Sequence, residues 1–483
     1  MKDKRAIRSV ILMEMACCGY LVFQVFFALS RKGADGVSAL VNHHLPFLAS
    51  FITPLLSKIP EWLCSAWWIS LFYTSVIVLF SVAYLGGLRV VEKFSPLAIW
   101  FTTSFFCITL FFFPPGKHHD IFLYIFQGKM FGGYHANPYF IPPAAFAEDP
   151  FYGYVGWQQF TSVYGPLWHW IEAGLFFLGG ESIISQIATF RCFTLLAHLG
   201  NTYLVYSILR QAMPEQVKKG MLLFGWNPLL LLYSVPGSTN DMVMILFLLS
   251  AVKLTLLKKT LLSAIALTAS GLVKIPGFFY LPFYLKMEKA KKEIAAAVLV
   301  MVIFLLVIWL PFYQGPKTFL RLLWIGRNFH HSWLFLWKSF WEKLQPRHYW
   351  LLTSFLQTVL TGAFLFAYWQ LWRQVNRQEQ IFRAMSVLLF FLLTIVLPGR
   401  TTWYASWVLP FAVLSLEERI TQVALVYSLT ALFAQVVYYL FHSYAVIYQA
   451  ATMMIEIGPP LGLAIRWKIW RNIWERTDIQ ERC

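Results

Sequence analysis

Residues 95–114 run from Ser95-Pro96 through Trp100 and Phe101 to Phe113-Pro114 without a single charged side chain. A stretch of that length cannot be left in water, and as a helix it is long enough to cross a hydrocarbon core about 30 Å thick. Comparable apolar runs lie at 7–30, 63–88, 186–211, 221–236, 241–257, 260–273, 276–286, 293–313, 349–372, 381–398, 403–416, 420–440 and 443–465. The shorter runs can serve as spans if they tilt into a protein-lined cavity. With 59% hydrophobic and only 13% charged residues, the composition excludes a soluble globular enzyme. The expected fold is all-α and polytopic, a single transmembrane domain over residues 1–483 with about 12–14 transmembrane helices.

Lys and Arg placement sets the expected orientation. Starting with the N-terminus inside, the inner segments hold Arg89 and Lys93; Arg210, Lys218 and Lys219; Lys258 and Lys259; Lys286, Lys289, Lys291 and Lys292; Arg373, Arg377 and Arg383; Arg419; and a short basic tail over residues 466–483. All fall on the cytoplasmic side, as the positive-inside rule requires, and the net charge of +17 is read as this bias rather than as nucleic-acid binding. Lys2, Lys4, Arg5 and Arg8 precede the first run, which lacks a small-residue cleavage site and is read as an uncleaved span. Residues 166–180 carry His169 and Glu172 and would invert every later cluster if they crossed, so they are read as a surface or re-entrant helix. Residues 37–60, broken by Pro46, Pro54 and Pro60, are read as interfacial.

This scheme leaves one large outer loop, residues 115–185, rich in aromatics, Pro and Gly. It opens with Gly116-Lys117-His118-His119-Asp120 and passes Asn137-Pro138-Tyr139 and Tyr164-Gly165-Pro166. Two readings stand for Asp120: the N-cap of a helix, or a general base whose carboxylate is partly desolvated at the membrane surface. His118-His119-Asp120 as a metal cluster is disfavoured, because adjacent residues on one turn rarely converge on an ion. Asp241, after Asn240, is either another helix cap or a polar anchor for a sugar, a phosphate or a divalent ion. Lys274 and Arg400 lie in outer turns, where they either snorkel to headgroups or neutralise a phosphate. Arg321, Arg327, His330 and His331 form a further basic set, and Arg191, Glu14 and Glu456 are ionisable residues within spans. Trp403 and Tyr404 are belt aromatics or a sugar-stacking platform.

The six cysteines form no Cys-x-x-Cys pair, so neither a disulfide framework nor a zinc site is expected. No Gly-x-x-x-x-Gly-Lys-[Ser/Thr] phosphate loop is present, so nucleotide hydrolysis by that route is excluded. The halves show no internal repeat, and the polar breaks cluster on one face. This favours an enzyme over the alternative, a transporter or flippase of a lipid-linked sugar.

Taken in order, Asp120, Tyr124, Gly128-Lys129, Asn137-Pro138-Tyr139 and Tyr164-Gly165-Pro166 resemble the first outer loop of integral-membrane glycosyltransferases of the GT-C superfamily. The likeness is nearest to bacterial polyprenol-phosphate-mannose-dependent mannosyltransferases. Asn227-Pro228, Asn240-Asp241, Lys274 with Pro276, and Pro398, Arg400, Trp403 and Tyr404 continue it over roughly residues 60–415. The chain departs from that pattern with Lys129 for Arg, Gly165 for Pro and Thr239 for His. The resemblance implies a GT-C-like fold with interfacial helices in the outer loop, in the cell membrane and with its active site on the extracytoplasmic face. It implies a hexosyl, mannose-like, transfer from a polyprenyl-phosphate donor to an acceptor hydroxyl on a glycan, glycolipid or protein. Asp120 would be the base of an inverting displacement, and Lys274, Arg400 or Arg321 would steady the departing phosphate. Tyr124, Lys129, Asn137, Tyr139, Tyr164, Asn240, Asp241, Trp403 and Tyr404 complete the expected substrate-binding set. A divalent cation, Mg2+ or Mn2+, is the one cofactor left open.

Overall fold

The computed structural model describes residues 3–30, 65–112, 120–287, 290–318, 330–415, 417–441 and 445–470. The interfacial segment expected at 37–60, the residues Gly116 to His119, and Arg321 and Arg327 lie outside the described residues. In chain order the helices are α1 Lys4–Ser30, α2 Ala66–Arg89, α3 Pro96–Phe111, α4 Asp120–Gly128, α5 Pro166–Gly179, α6 Ile183–Ala212, α7 Val217–Gly225, α8 Pro228–Ser234 and α9 Asp241–Leu256. They continue as α10 Thr260–Val273, α11 Leu281–Met287, α12 Lys291–Trp309, α13 Trp333–Leu344, α14 Tyr349–Gln374, α15 Gln378–Phe391, α16 Leu409–Ser415, α17 Glu418–Phe441 and α18 Ala445–Arg466. Among the described residues there is no strand, and the protein is an all-α polytopic membrane protein.

Seven of the described helical stretches are long and apolar enough to cross a membrane: Lys4–Phe27, Ala66–Arg89, Ile183–Ala212, Lys291–Phe312, Tyr349–Gln374, Gln378–Val396 and Glu418–Phe441. Among the described residues several other apolar runs form shorter helices, because they are broken by backbone chemistry. Residues 221–236 divide at Trp226-Asn227, where the Asn227 side chain accepts hydrogen bonds from the Leu229 and Leu230 N–H groups and Pro228 opens a new helix. Residues 276–286 divide into a 3-10 turn, Ile275–Tyr280, and α11. Residues 403–416 divide into the 3-10 stretch Thr402–Trp407 and the seven-residue α16. Apolarity sums over a window, whereas Pro and Asn act at one bond.

The chain falls into two compact units. The first is Met1–Phe278 with Ala295–Leu323, and the second is Phe279–Ile294 with Trp324–Cys483. On α12, Leu299, Ile303, Leu306 and Val307 are more than half exposed. A face this apolar needs lipid to cover it. In the first unit Ser95 caps α3, its hydroxyl accepting from the Ala98 N–H at 3.1 Å, a contribution of about 1 kcal/mol. The other end of α3 is satisfied from outside, because the Arg191 guanidinium on α6 donates to the Phe111 carbonyl at 2.9 Å. That bond explains an arginine within a span, since helix C-termini carry unpaired carbonyls and partial negative charge. Glu14 of α1 accepts from the Thr109 hydroxyl of α3 at 2.5 Å, which gives the second intramembrane ionisable residue a polar contact.

α4 and α5, at nine and 14 residues, are too short to cross a bilayer. They run alongside each other. Tyr124 meets Trp168 with ring centroids 5.1 Å apart, and Gly128 sits against the Glu172 backbone.

Candidate active site

Three helix ends of the first unit converge. Asp120 begins α4, Asp241 begins α9, and Lys274 ends α10. Each placement follows from local chemistry. Carboxylates favour the positive end of a helix dipole, and a chain leaving a helix ahead of Pro276 cannot continue it. Lys274 Nζ lies 2.8 Å from Asp241 Oδ1, with Asp241 fully buried.

Asp120 is half-buried and takes hydrogen bonds from the hydroxyls of Tyr124, at 3.5 Å, and Tyr164. Burial pushes its carboxyl up to about 6. The nearby Lys274 opposes the rise, Asp241 adds to it, and the two tyrosine hydroxyls oppose it. The Tyr124 phenol is held well above its ordinary value, by burial first and then by Tyr164 and the two carboxylates, so it stays a hydrogen-bond donor. The arrangement is a carboxylate that ionises close to neutrality, steadied by two donors and faced by one ammonium and a second carboxylate.

Asn137 and Tyr139 are buried in the framework behind this centre. The Asn137 amide donates to the Phe312 carbonyl at 2.9 Å, and its oxygen accepts from the Tyr139 N–H at 3.1 Å. The Tyr139 hydroxyl donates to the Tyr164 carbonyl at 2.7 Å, and its ring stacks on Trp309 at 5.3 Å. Asn-Pro-Tyr thus ties the middle of the loop to the residue that bonds Asp120. Asn240 is fully buried beside Asp241. Lys129 is pinned by Asp149 at 2.6 Å and lies over the Phe151 ring.

Sequence reasoning missed why residue 165 is glycine. Its N–H donates to the Val273 carbonyl at 3.1 Å, and a Cβ there would stand 2.0 Å from the Leu272 carbonyl oxygen. Proline would supply that Cβ and remove the N–H, so a glycine at this position has a steric cause. The same junction seats Tyr164 against the segment that ends in Lys274. Also missed was the pairing of His169 Nδ1 with Glu172 Oε2 at 2.6 Å, both fully buried on α5. Burial pushes the imidazole down to about 3 and the carboxyl well above its ordinary value, so both groups are driven toward their neutral forms. The pair's sequence signal was the i,i+3 spacing of two polar residues in an apolar run.

In the second unit Arg400 is buried and its guanidinium pairs with Glu456 at 2.5 Å, with the Tyr427 hydroxyl at 3.5 Å. Trp403 and Tyr404 are half-exposed, and Tyr404 stacks on Trp407 at 4.2 Å. Among the described residues no three His, Cys, Asp or Glu side chains are grouped to hold a metal ion.

Residues 31–290, more than half of the chain, match the family described as "Alpha-(1->6)-mannopyranosyltransferase, N-terminal domain". The chain belongs to this family. An alpha-(1->6)-mannopyranosyltransferase of Mycobacterium tuberculosis (strain ATCC 25618 / H37Rv) is 29% identical over 152 residues, covering 30% of this chain and 24% of that protein. The match thus spans about a quarter of the length of that curated relative. Within the family region lie Asp120, Tyr164, Gly165, Asp241 and Lys274, whereas Arg400, Trp403 and Tyr404 lie beyond it.

Proposed function

We propose that this chain is a multi-pass membrane glycosyltransferase. It moves a hexose, mannose by its family, from a polyprenyl-phosphate donor to an acceptor hydroxyl on the extracytoplasmic side of the cell membrane. The observation that carries the reading is Asp120: a half-buried carboxylate poised near 6, held by two tyrosine hydroxyls and faced by Lys274 and Asp241. A general base works best with a pKa close to the working pH.

In this mechanism Asp120 removes the proton from the acceptor hydroxyl. The freed oxygen lone pair attacks the anomeric carbon as the carbon–oxygen bond to phosphate breaks. The bonding pair leaves with the polyprenyl phosphate, and the anomeric configuration inverts. Lys274 is the cation of the described site placed to take up the charge gained by the phosphate, for which it would have to be shared with Asp241. The energy comes from the phosphodiester of the donor, so no nucleotide is needed.

The test is turnover of labelled polyprenyl-phosphate mannose, glucose and arabinose by the purified protein with a panel of acceptors, with and without Mg2+ or Mn2+. Wild type should consume the mannose donor. Asp120→Asn should still bind donor but lose activity by about 10²–10⁴-fold, the range for a general base. An Asp120→Asn variant with wild-type turnover sinks the assignment of the base. Consumption of no donor by wild type sinks the enzyme reading.

A further inference from the structure

A cleft of about 320 Å³ opens at the far end of α4 and α5, away from Asp120. One wall is the π-helical turn Lys129–Gly133 with Tyr134, and the other is Phe176, Phe177 and Glu181. Its volume is that of a small-ligand site. The chemistry of its walls is mixed, with aromatic faces between an ammonium and a carboxylate.

Tyr134 is the organising side chain. It is 43% exposed, yet its ring is fixed from three directions. One face lies parallel to Phe146, with centroids 4.7 Å apart and planes 5° from parallel. Its hydroxyl donates to Asp149 at 2.5 Å, and Asp149 also holds Lys129 at 2.6 Å. Lys129 in turn lies 5.7 Å from the Tyr134 ring centroid. Burial would raise the Asp149 carboxyl, but hydrogen bonds from Lys129 and Tyr134 outweigh it and keep the group ionised. The part of the Tyr134 ring that Phe146 and Lys129 leave exposed is held rigid at no further entropic cost, beside Phe177 and with Lys129 and Glu181 on the cleft's rim, and such a surface matches the two surfaces of a sugar ring. The apolar C–H face stacks, and the hydroxyls bond the rim. A prenyl chain would leave that rim desolvated and unpaired.

Position decides which sugar. Nine residues of helix separate Asp120 from Lys129, about 14 Å along the axis at 1.5 Å per residue. That is farther than a single hexose reaches from the base. We propose that the cleft of Lys129, Tyr134, Phe177 and Glu181 is a remote acceptor subsite. It grips a sugar unit of an oligosaccharide acceptor whose reacting hydroxyl lies at Asp120. The inference rests on the glycosyltransferase reading for its role, but not for its binding chemistry.

The test uses the full chain in nanodiscs with two acceptors, methyl α-mannoside and an α-linked mannotetraose. Tyr134→Ala should raise the KM for the tetraose about tenfold, the upper value for losing one aromatic stack, and so erase the preference for the longer acceptor. Tyr134→Phe keeps the stacking face and should retain that preference, which separates a lost platform from a damaged fold. Binding of mannotetraose to Asp120→Asn, measured by calorimetry, should weaken by a similar factor when Tyr134→Ala is added. That arm needs no turnover, so binding that depends on Tyr134 in a protein that consumes no donor would uphold the subsite and sink the enzyme reading alone. Equal KM losses for both acceptors, a rise confined to the lipid donor, or tetraose binding indifferent to Tyr134 would each overturn the proposal.

Discussion

Replacing Gly165 by alanine tests whether the loop-to-α10 junction sets the geometry of the site. The added Cβ would stand 2.0 Å from the Leu272 carbonyl oxygen and 3.0 Å from that of Val273. Ordinary contact begins near 3.4 Å, so one of two backbone segments must give way by roughly 1.4 Å. Neither can do so by rotating a side chain, because the obstructing atoms are main-chain carbonyls. One segment carries Tyr164, which bonds Asp120, and the other runs directly into Lys274. Overpacking of this kind costs about 1–3 kcal/mol of stability. A misplacement of about 1 Å between reacting groups costs about a hundredfold in rate. The expected result is therefore a folded but less stable protein whose kcat/KM falls about a hundredfold. Because Lys274 holds Asp120 down, moving it away should also shift the acid limb of the pH–rate profile above 6. Gly174→Ala on α5 is the control: its Cβ would meet nothing within 4 Å, so it should gain roughly 0.5–1 kcal/mol in helix stability and keep its rate. The assay is donor turnover over pH 4.5–8 (about one unit and more either side of the limb) with thermal unfolding in the same detergent. Wild-type kcat/KM and an unmoved limb in Gly165→Ala would refute the argument.

Three further outcomes are expected. Asp120 must be ionised to act as base and its carboxyl sits at about 6, so kcat/KM should fall about tenfold per pH unit below 6 and level off above it; a pH-independent rate from 4.5 to 8 would contradict it. Lys274→Met should move that limb up and Asp241→Asn should move it down, since the first removes the charge that lowers the Asp120 pKa and the second the charge that raises it; shifts of the opposite sign, read from the same profiles, would count against the geometry. Arg400→Met should destabilise the protein by about 3–5 kcal/mol, because Glu456 is left buried without its ion-pair partner, while Arg400→Met with Glu456→Leu should recover much of the loss; thermal unfolding of the single and double variants decides it.

What the residues themselves determined is the part of the protein governed by short-range chemistry. Uncharged runs dictated helices in lipid, since no other open backbone arrangement satisfies its own hydrogen bonds there. Asp120, Pro166 and Asp241 marked helix starts, and the Lys274-Ile275-Pro276 turn marked a break, each through helix-end charge or proline geometry within a few residues. Hydropathy alone did not show where helices break, because a window average does not register the single Asn or Pro that ends a helix at Asn227 or Pro276. Only the tertiary structure decided who meets whom. Lys274 finds Asp241 across 33 positions, Arg400 finds Glu456 across 56, and the Tyr139 ring meets Trp309 from a segment far down the chain. Nothing in local periodicity encodes such pairs, which are selected by the packing of helices already formed. Gly165 makes the distinction sharpest. As a letter it was an unexplained departure; in the fold it is the one residue type without the Cβ that would stand 2.0 Å from another segment's carbonyl oxygen.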